Sequence, residues 1–214
     1  MKSNLFLRVI IGILTLCAPS LVFAQSVDVD KAVVWAEDKG QLLLNTFQEK
    51  DISARNVKLD NLFDEYVDVH YVAKFVSGRY WQDMNENQRQ EYVELFRRYV
   101  KALYKTFPLD FVSRLSYRVI NAVSDKNFVV VNTLIKLDAD ENNPMQDILL
   151  SFRLHSKDGE LKLVDIKVAE SSLLLSYRNK FAEMFRTVDG EISWFLEDLS
   201  SLVISSEKMN QAEI

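Results

Sequence analysis

The chain is poor in cysteine, histidine, glycine and proline, and each shortage narrows what it can be. Its 214 residues include one cysteine, two histidines, five glycines and three prolines. Cys17 lies in an N-terminal segment with the features of a secretory leader, so the mature chain has no cysteine with which to form a disulfide. His70 and His155 are far apart in sequence, and no cluster supplies the three ligands that a zinc site needs. We expect burial alone to hold the domain together, with no metal and no cofactor.

Catalytic motifs are also missing. The sequence contains no G-x-S-x-G, P-loop, H-E-x-x-H or C-x-x-C pattern. Asp165 is an acid within an apolar strand, and we predict a structural ion pair between it and Arg178 in the helix that follows. Contact with a bound ligand is the alternative, and a general acid or base at Asp165 would need an apolar pocket to raise its pKa. We interpret both histidines as surface or capping residues.

The first 24 residues have the features of a secretory signal peptide. Lys2 and Arg8 form a basic start, residues 9–16 are an apolar run, and Val22-Phe23-Ala24 is a small-x-small cleavage site. The run is short for a membrane span, and Leu16 is larger than the residue that precedes a lipidated cysteine, so anchoring and lipidation are the less favoured alternatives. We predict a single domain over residues 25–204 and a flexible tail over residues 205–214.

The charge balance limits the partners. Loss of Lys2 and Arg8 with the leader lowers the 26 basic residues to 24, against 31 acidic ones. The mature chain therefore has a net charge of about −7, which disfavours nucleic acid and anionic membrane surfaces as partners. We expect a monomer that binds no nucleic acid and reaches membranes through protein partners.

Apolar residues recur at helical spacing on both sides of a central region. Asp28 or Asp30, Asp68, and Asn85 with Gln88 are the predicted N-terminal caps, and Gly78 is a predicted helix stop. The apolar positions are Val33, Ala36, Gly40, Leu43, Leu44 and Phe47; Leu59, Leu62, Phe63 and Tyr66; Val69, Val72, Ala73 and Val76; Val93, Phe96, Val100, Leu103 and Phe107; Tyr177, Phe181, Met184 and Phe185; and Ile192, Phe195, Leu196 and Leu199.

Between Leu115 and Val168 the apolar period changes to two. Four segments separated by short turn-rich links predict a four-stranded antiparallel meander with one apolar face, covered by helices on that side. The fourth segment is ambiguous, because Val164, Ile166 and Val168 form one face whereas Leu161 and Leu163 form the other. After it, Glu170-Ser171-Ser172 predicts a polar turn and a helix start. The fold class is therefore α+β, with N-terminal helices, a sheet and C-terminal helices.

Two segments have a joint pattern that is typical of one family. The first contains Gly78, Trp81, Gln88, Arg89, Phe96 and Tyr104, and the second contains Lys162 to Ile166, Ser172-Leu173, Tyr177-Arg178 and Phe181. Together with the element order over residues 30–200, this pattern resembles the MlaC-type periplasmic phospholipid-binding proteins, also called toluene-tolerance auxiliary proteins. Two positions depart from the family: its tryptophan at the start of the last strand is Leu161 here, and its turn glycine is Glu170.

The resemblance implies a nuclear-transport-factor-like cone in which a curved sheet wraps around helices and leaves an apolar pocket. It implies a protein that carries phospholipid across the periplasm and maintains outer-membrane asymmetry. The implied partners are an inner-membrane ABC transporter with an MCE-domain ring and an outer-membrane lipoprotein–porin complex. Close relatives act in hopanoid pathways, so a hopanoid is the alternative ligand. An enzyme using Asp165, and a lipid-free periplasmic adaptor, are the alternatives from other classes.

The pocket wall is predicted from the apolar strand faces and the helix stripes. The sequence does not divide pocket wall from plain core. The candidates are Phe96, Leu103, Tyr104, Val119, Val131, Ile135, Leu150, Phe152, Leu154, Val164, Ile166, Val168, Tyr177 and Phe181.

Overall fold

A computed structural model describes residues 27–105, 115–137 and 146–212, so the predicted signal peptide lies outside the described residues. The α+β prediction is confirmed, with helices before and after an antiparallel sheet. None of the described helices has the length and apolar character needed to cross a bilayer. The elements are α1 (Val29–Phe47), α2 (Ile52–Tyr66), α3 (Val69–Ser77), α4 (Tyr80–Asp83), α5 (Glu86–Lys105), β1 (Leu115–Asp125), β2 (Phe128–Leu137), β3 (Gln146–Lys157), β4 (Glu160–Val168), β5 (Ser171–Ser172), α6 (Leu173–Thr187) and α7 (Ile192–Ala212).

Polar caps start the N-terminal helices as the sequence predicts. Asp28 and Asp68 accept hydrogen bonds from backbone N–H groups in the first turns of α1 and α3. At α5 the capping box is reciprocal: the Asn85 N–H donates to Gln88 Oε1 at 2.9 Å, and the Gln88 N–H donates to Asn85 Oδ1 at 3.0 Å. Gly78 ends α3 with a φ of 60°. These contacts satisfy backbone groups that a helix end leaves unpaired.

Among the described residues the sheet has five strands in the order β1-β2-β3-β4-β5, so the prediction of four strands is wrong by one. The extra strand comes from the predicted polar turn. Ala169 has a φ of 53°, which reverses the chain, and Ser171 and Ser172 then pair with Val168 and Lys167. The predicted helix start is confirmed, because Ser172 Oγ accepts the Leu175 N–H at 3.1 Å.

A β-bulge resolves the ambiguity of the fourth strand. Leu154 pairs with Leu163 and Arg153 pairs with Asp165, so Val164 is an extra residue between them. The bulge shifts the side-chain alternation by one position. Ile166 therefore packs against the same cluster as Leu161 and Leu163, and the predicted shared face of Val164, Ile166 and Val168 is wrong. Val168 is 41% exposed.

The domain has two hydrophobic cores. The helical core lies among α3, α5, α6 and α7, and the sheet core lies between the sheet and α1. Core members are Tyr92, Phe96, Tyr99, Phe181, Phe185 and Phe195 for the helical core, and Ala32, Ala36, Val129, Val131, Phe152 and Leu154 for the sheet core. The two clusters share no buried residue. An apolar cavity that lies between them therefore takes its walls from both clusters.

The structure places residues 205–212 in the last turns of α7, where the sequence predicts a flexible tail. Polar contacts with α5 hold this segment. Arg98 donates to both carboxylate oxygens of Glu207, at 3.0 and 2.7 Å, and Asn210 Nδ2 donates to the Ala102 carbonyl at 3.0 Å. Two polar side chains of this segment, Glu207 and Asn210, thus pair with α5, whereas Ser205 and Lys208 are exposed.

The position of α1 on the sheet depends on Gly40. The Tyr117 hydroxyl donates to the Ala36 carbonyl at 2.8 Å, and the Tyr117 ring lies directly over Gly40. A Cβ added at Gly40 would lie 2.3 Å from the Tyr117 ring. This close approach fixes one wall of the domain and requires glycine within the helix.

Gly40→Ala should destabilise the protein by about 1–3 kcal/mol, because the added methyl group collides with Tyr117. An unhindered glycine-to-alanine change inside a helix raises the free energy of unfolding by about 1 kcal/mol. A decrease at Gly40 would therefore identify the collision with Tyr117. Urea unfolding measures it, with the exposed Glu37→Ala as a control expected to stay within about 0.5 kcal/mol. Stabilisation by Gly40→Ala would contradict the contact.

A polar cluster joins the start of α3 to the end of β3. The buried Asp68 carboxylate accepts from Lys157 Nζ at 2.9 Å and lies 3.1 Å from His155 Nε2. Burial alone would raise the pKa of Asp68, but hydrogen bonds from Lys157 and the Tyr71 N–H outweigh it and lower the pKa. Burial lowers the pKa of His155, against the opposing effect of Asp68. His155 is thus a partner of a helix cap rather than a metal ligand.

The free energy of unfolding should fall as the pH falls below the ordinary histidine value of 6.5. Below that pH the folded state binds fewer protons at His155 than the unfolded state does. The contribution of His155 to the free energy of unfolding is therefore complete above pH 6.5 and is lost as the pH falls through the lowered pKa of the folded state. The Asp68 contribution follows the same sign and is lost below the ordinary aspartate value of 3.8. Denaturant unfolding at pH 5 and pH 7.5 should show a smaller decrease for His155→Gln than for the unaltered protein. Equal decreases in the two proteins would refute the assignment.

Candidate functional site

Two adjoining cavities lie between the helical core and the sheet core. Their volumes are about 240 Å³ and about 370 Å³. They share walls at Phe63, Val67, Tyr104, Leu163 and Ile166, so the two apolar cavities adjoin one another. The larger is within the range of about 300–1,000 Å³ that ligand pockets occupy, and the smaller is just below it.

The first cavity lies between α1, α2 and the concave part of the sheet. Its walls are almost wholly apolar, and Lys39 is the only charged side chain among the described residues that line it. The remaining wall residues not shared with the second cavity are Trp35, Gly40, Leu43, Phe47, Leu59, Leu62, Tyr66 and Phe152.

The second cavity lies between α5, β4 and the first turns of α6. Asp165 is the charged residue at its wall. The remaining wall residues not shared with the first cavity are Val72, Phe96, Val100, Leu103, Val164, Leu173, Leu174 and Tyr177. The apolar walls suit a hydrocarbon ligand, and their position matches the seam between the two cores.

Tyr104 and Tyr177, which line the cavities, stay uncharged at neutral pH. Burial raises the pKa of Tyr177 to about 12. Burial, with a hydrogen bond to Asp60, raises the pKa of Tyr104 above its usual range. The Tyr104 hydroxyl donates to Asp60 Oδ1 at 2.7 Å, and Lys105 Nζ donates to Asp60 Oδ2 at 2.9 Å. The polar end of Tyr104 thus has its partner, while the ring lines both cavities.

The predicted ion pair between Asp165 and Arg178 is wrong. Asp165 is 7% exposed and accepts from Ser172 Oγ at 2.7 Å and from the Leu174 N–H at 3.0 Å. Arg178 instead donates to the Phe75 carbonyl at 3.0 Å. The bulge in β4 and the reversal into β5 bring Asp165 to the start of α6, where its carboxylate satisfies a backbone N–H. Both of its oxygens have protein partners, which is the arrangement of a structural group.

The structure divides the fourteen predicted wall residues into two halves. Seven line one or both cavities: Phe96, Leu103, Tyr104, Phe152, Val164, Ile166 and Tyr177. The other seven lie away from these walls. Val131, Leu154 and Phe181 are fully buried in the cores, Val119 and Leu150 pack against the sheet core, Ile135 is half-buried near the end of β2, and Val168 is exposed.

Sequence reasoning missed the walls that α1 and α2 contribute. The helical spacing of Leu43, Phe47, Leu59, Leu62 and Phe63 is visible in the sequence, but spacing alone does not say which surface a stripe faces. The described residues offer no group of three or more His, Cys, Asp or Glu side chains that could hold a metal ion. The site that the structure offers is therefore an apolar space.

The two motif segments of the sequence meet in the structure. Arg89 Nε donates to the Trp81 carbonyl at 3.1 Å, which joins the start of α5 to α4. Arg178 lies against Gly78, where an added Cβ would come within 3.2 Å of the guanidinium, and its bond to the Phe75 carbonyl satisfies the end of α3. The motif residues thus fix the helices that surround the second cavity.

Comparison with known proteins agrees with this arrangement. One solved structure with a similar fold is a phospholipid-binding protein from Ralstonia solanacearum in complex with a phospholipid. It is 20% identical, covers 84% of this chain and 99% of its own, and superposes with a TM-score of 0.66. No curated protein gives a significant sequence match. The family model described as MlaC protein matches residues 41–201, and the chain therefore belongs to the MlaC family.

Proposed function

We propose that this protein is a periplasmic carrier that holds a phospholipid with its acyl chains in the two adjoining cavities. The observation that supports this most directly is the pair of adjoining apolar cavities between the two cores, because two cavities suit two chains. Membership of the MlaC family and the phospholipid bound by the Ralstonia solanacearum structure support the same ligand class. A hopanoid would also suit apolar walls, and lipid extraction distinguishes the two.

The carrier moves lipid between an inner-membrane ABC transporter complex with an MCE-domain ring and an outer-membrane lipoprotein–porin complex. This transfer maintains outer-membrane lipid asymmetry. The basic start and cleavage pattern of residues 1–24 support export to the periplasm. The excess of acidic residues supports contact with membranes through these protein partners.

The energetics favour direct transfer from one apolar site to another. Two acyl chains contain on the order of 30 methylenes, each worth about 0.8 kcal/mol on burial. The gross transfer free energy of roughly 24 kcal/mol exceeds the usual affinity ceiling of about 18–21 kcal/mol. Ordering of the chains lowers it, but release of free lipid into water would remain slow. A partner must therefore offer an apolar surface before the lipid leaves.

Substitution at the shared wall should lower lipid loading. Ile166→Trp places a larger side chain at the wall that the two cavities share, and Phe152→Asp places a charge in the first cavity, where an unpaired buried charge is costly. Each should reduce co-purified lipid by about tenfold or more, since each 1.4 kcal/mol corresponds to tenfold in affinity. Extraction and mass spectrometry of gently purified mature protein measure the loading.

The matched control is Val123→Asp, which adds the same charge at an exposed position of β1. Circular dichroism should show that all variants are folded. Unchanged lipid content in folded Ile166→Trp and Phe152→Asp would remove this space from the binding site. Absence of any diacyl lipid from the unaltered protein would refute the carrier function itself.

Asp165 provides a test against an enzyme in the same fold. Asp165→Asn should destabilise the protein by about 1–3 kcal/mol. The carboxylate accepts one hydrogen bond at each oxygen, whereas the asparagine amide has only one acceptor oxygen. Lipid loading per folded molecule should be unchanged. Urea unfolding and lipid extraction measure these, with the exposed turn residue Asp158→Asn as the control. A stable variant that loses turnover of a lipid substrate would support catalysis instead.

A further inference from the structure

A surface groove opens beside the first cavity and shares three residues with it. The groove has a volume of about 400 Å³, and Trp35, Lys39 and Tyr66 line both spaces. Lys39 therefore lies where an apolar interior meets a polar rim. The rim contains three lysines and three carboxylates: Lys31, Lys39, Lys162, Asp38, Glu65 and Glu160.

Lys39 differs from the other two lysines in its partners. Lys162 Nζ donates to the Glu65 carbonyl and to Glu160 Oε2, both at 2.8 Å. Lys31 is 4.0 Å from Asp28 and is highly exposed. Lys39 Nζ lies 4.8 Å from the centre of the Tyr66 ring, and the described part of the chain places no carboxylate within ion-pair distance of it. Its position is thus set by an aromatic ring, which leaves its N–H donors for another acceptor.

The chemistry of a diacyl phospholipid matches this boundary. Its phosphodiester is an anion located where two hydrocarbon chains end. We propose that Lys39 binds the phosphate of the bound lipid, with the acyl chains in the cavities and the rest of the head group in the groove. This inference rests on the proposed carrier function and adds to it a residue that selects phosphate-bearing lipids.

The rim carboxylates argue against a site for a free phosphate ester. Asp38, Glu65 and Glu160 lie around the same groove and repel an anion that has no chains to hold it. Lys39 then contributes to affinity only when the chains position the phosphate beside it. A neutral diacyl lipid would fill the same cavities without using Lys39.

Lys39→Met tests the role of the charge, since methionine keeps an unbranched apolar stem and has no N–H donor. Delipidated mature protein is loaded from mixed vesicles containing dioleoyl phosphatidylethanolamine and dioleoylglycerol, and the bound lipids are counted by mass spectrometry. We expect Lys39→Met to lower phosphatidylethanolamine loading by about 10- to 100-fold, the effect of one charge-assisted hydrogen bond, and to leave dioleoylglycerol loading unchanged. Lys39→Arg should retain phospholipid loading, and Lys208→Met on α7, which lines neither the groove nor the cavities, is the matched control for loss of an exposed positive charge.

Each other outcome has a definite meaning. Equal loading of phosphatidylethanolamine in Lys39→Met and unaltered protein would overturn this inference and leave the carrier function standing. Equal loss of both lipids would show that Lys39 supports the wall, which also overturns it. Lys39-dependent binding of water-soluble glycerophosphoethanolamine would show that Lys39 binds a phosphate ester that has no acyl chains, contrary to this inference. If the unaltered protein takes up neither lipid, the carrier function fails first.

Discussion

The separation of the two hydrophobic cores is the constraint on which the rest of this structure depends. If the helical core and the sheet core merged, no apolar space would remain between them. Apolar packing cannot keep two apolar surfaces apart, because the hydrophobic effect is non-directional. The separation must therefore come from groups with fixed geometry around the seam. In this protein those groups are polar.

Three polar anchors lie around the cavities, and two of them, at Asp165 and Tyr104, contribute to the cavity walls. Asp68 joins the start of α3 to β3 through Lys157 and His155. Asp165 joins β4 to the start of α6 through Ser172 and the Leu174 N–H. Tyr104 and Lys105 join α5 to α2 through Asp60. Hydrogen bonds have short, directed geometries, so each anchor fixes a distance between elements that apolar contacts alone would reduce.

The sequence was sufficient to predict features that depend on local chemistry. The capping box at Asn85 and Gln88, the cap at Asp68 and the stop at Gly78 involve neighbours within four residues, so their spacing determines their partners. Features that depend on distant contacts were not predictable in this way. The bulge at Val164 is visible only as a conflict between two alternations, and the pairing of Ser171 and Ser172 needs the reversal at Ala169.

The candidate site shows the same limit. Half of the predicted wall residues line the cavities, since an apolar face predicts burial but not whether the facing space is filled. Phe181 and Leu154 have the same character in the sequence as Phe96 and Phe152, yet they are plain core. Lys39 was not predicted as a wall residue, because the inward face of α1 was predicted from its apolar residues alone. A flexible tail over residues 205–214 was predicted from polar composition, but a polar residue that pairs with α5, such as Glu207, looks the same in sequence as one that faces water.

The two departures from the family pattern have different consequences in this structure. Glu170 is exposed in the turn between β4 and β5, so it leaves the cavity walls unchanged. Leu161 packs against the sheet core and borders the groove that contains Lys39. Leucine has no N–H donor, whereas the tryptophan typical of the family has one at its indole ring. At this rim the chain therefore lacks that donor, and Lys39, which lies 4.8 Å from the centre of the Tyr66 ring, is the charged side chain that lines both the groove and the first cavity among the described residues.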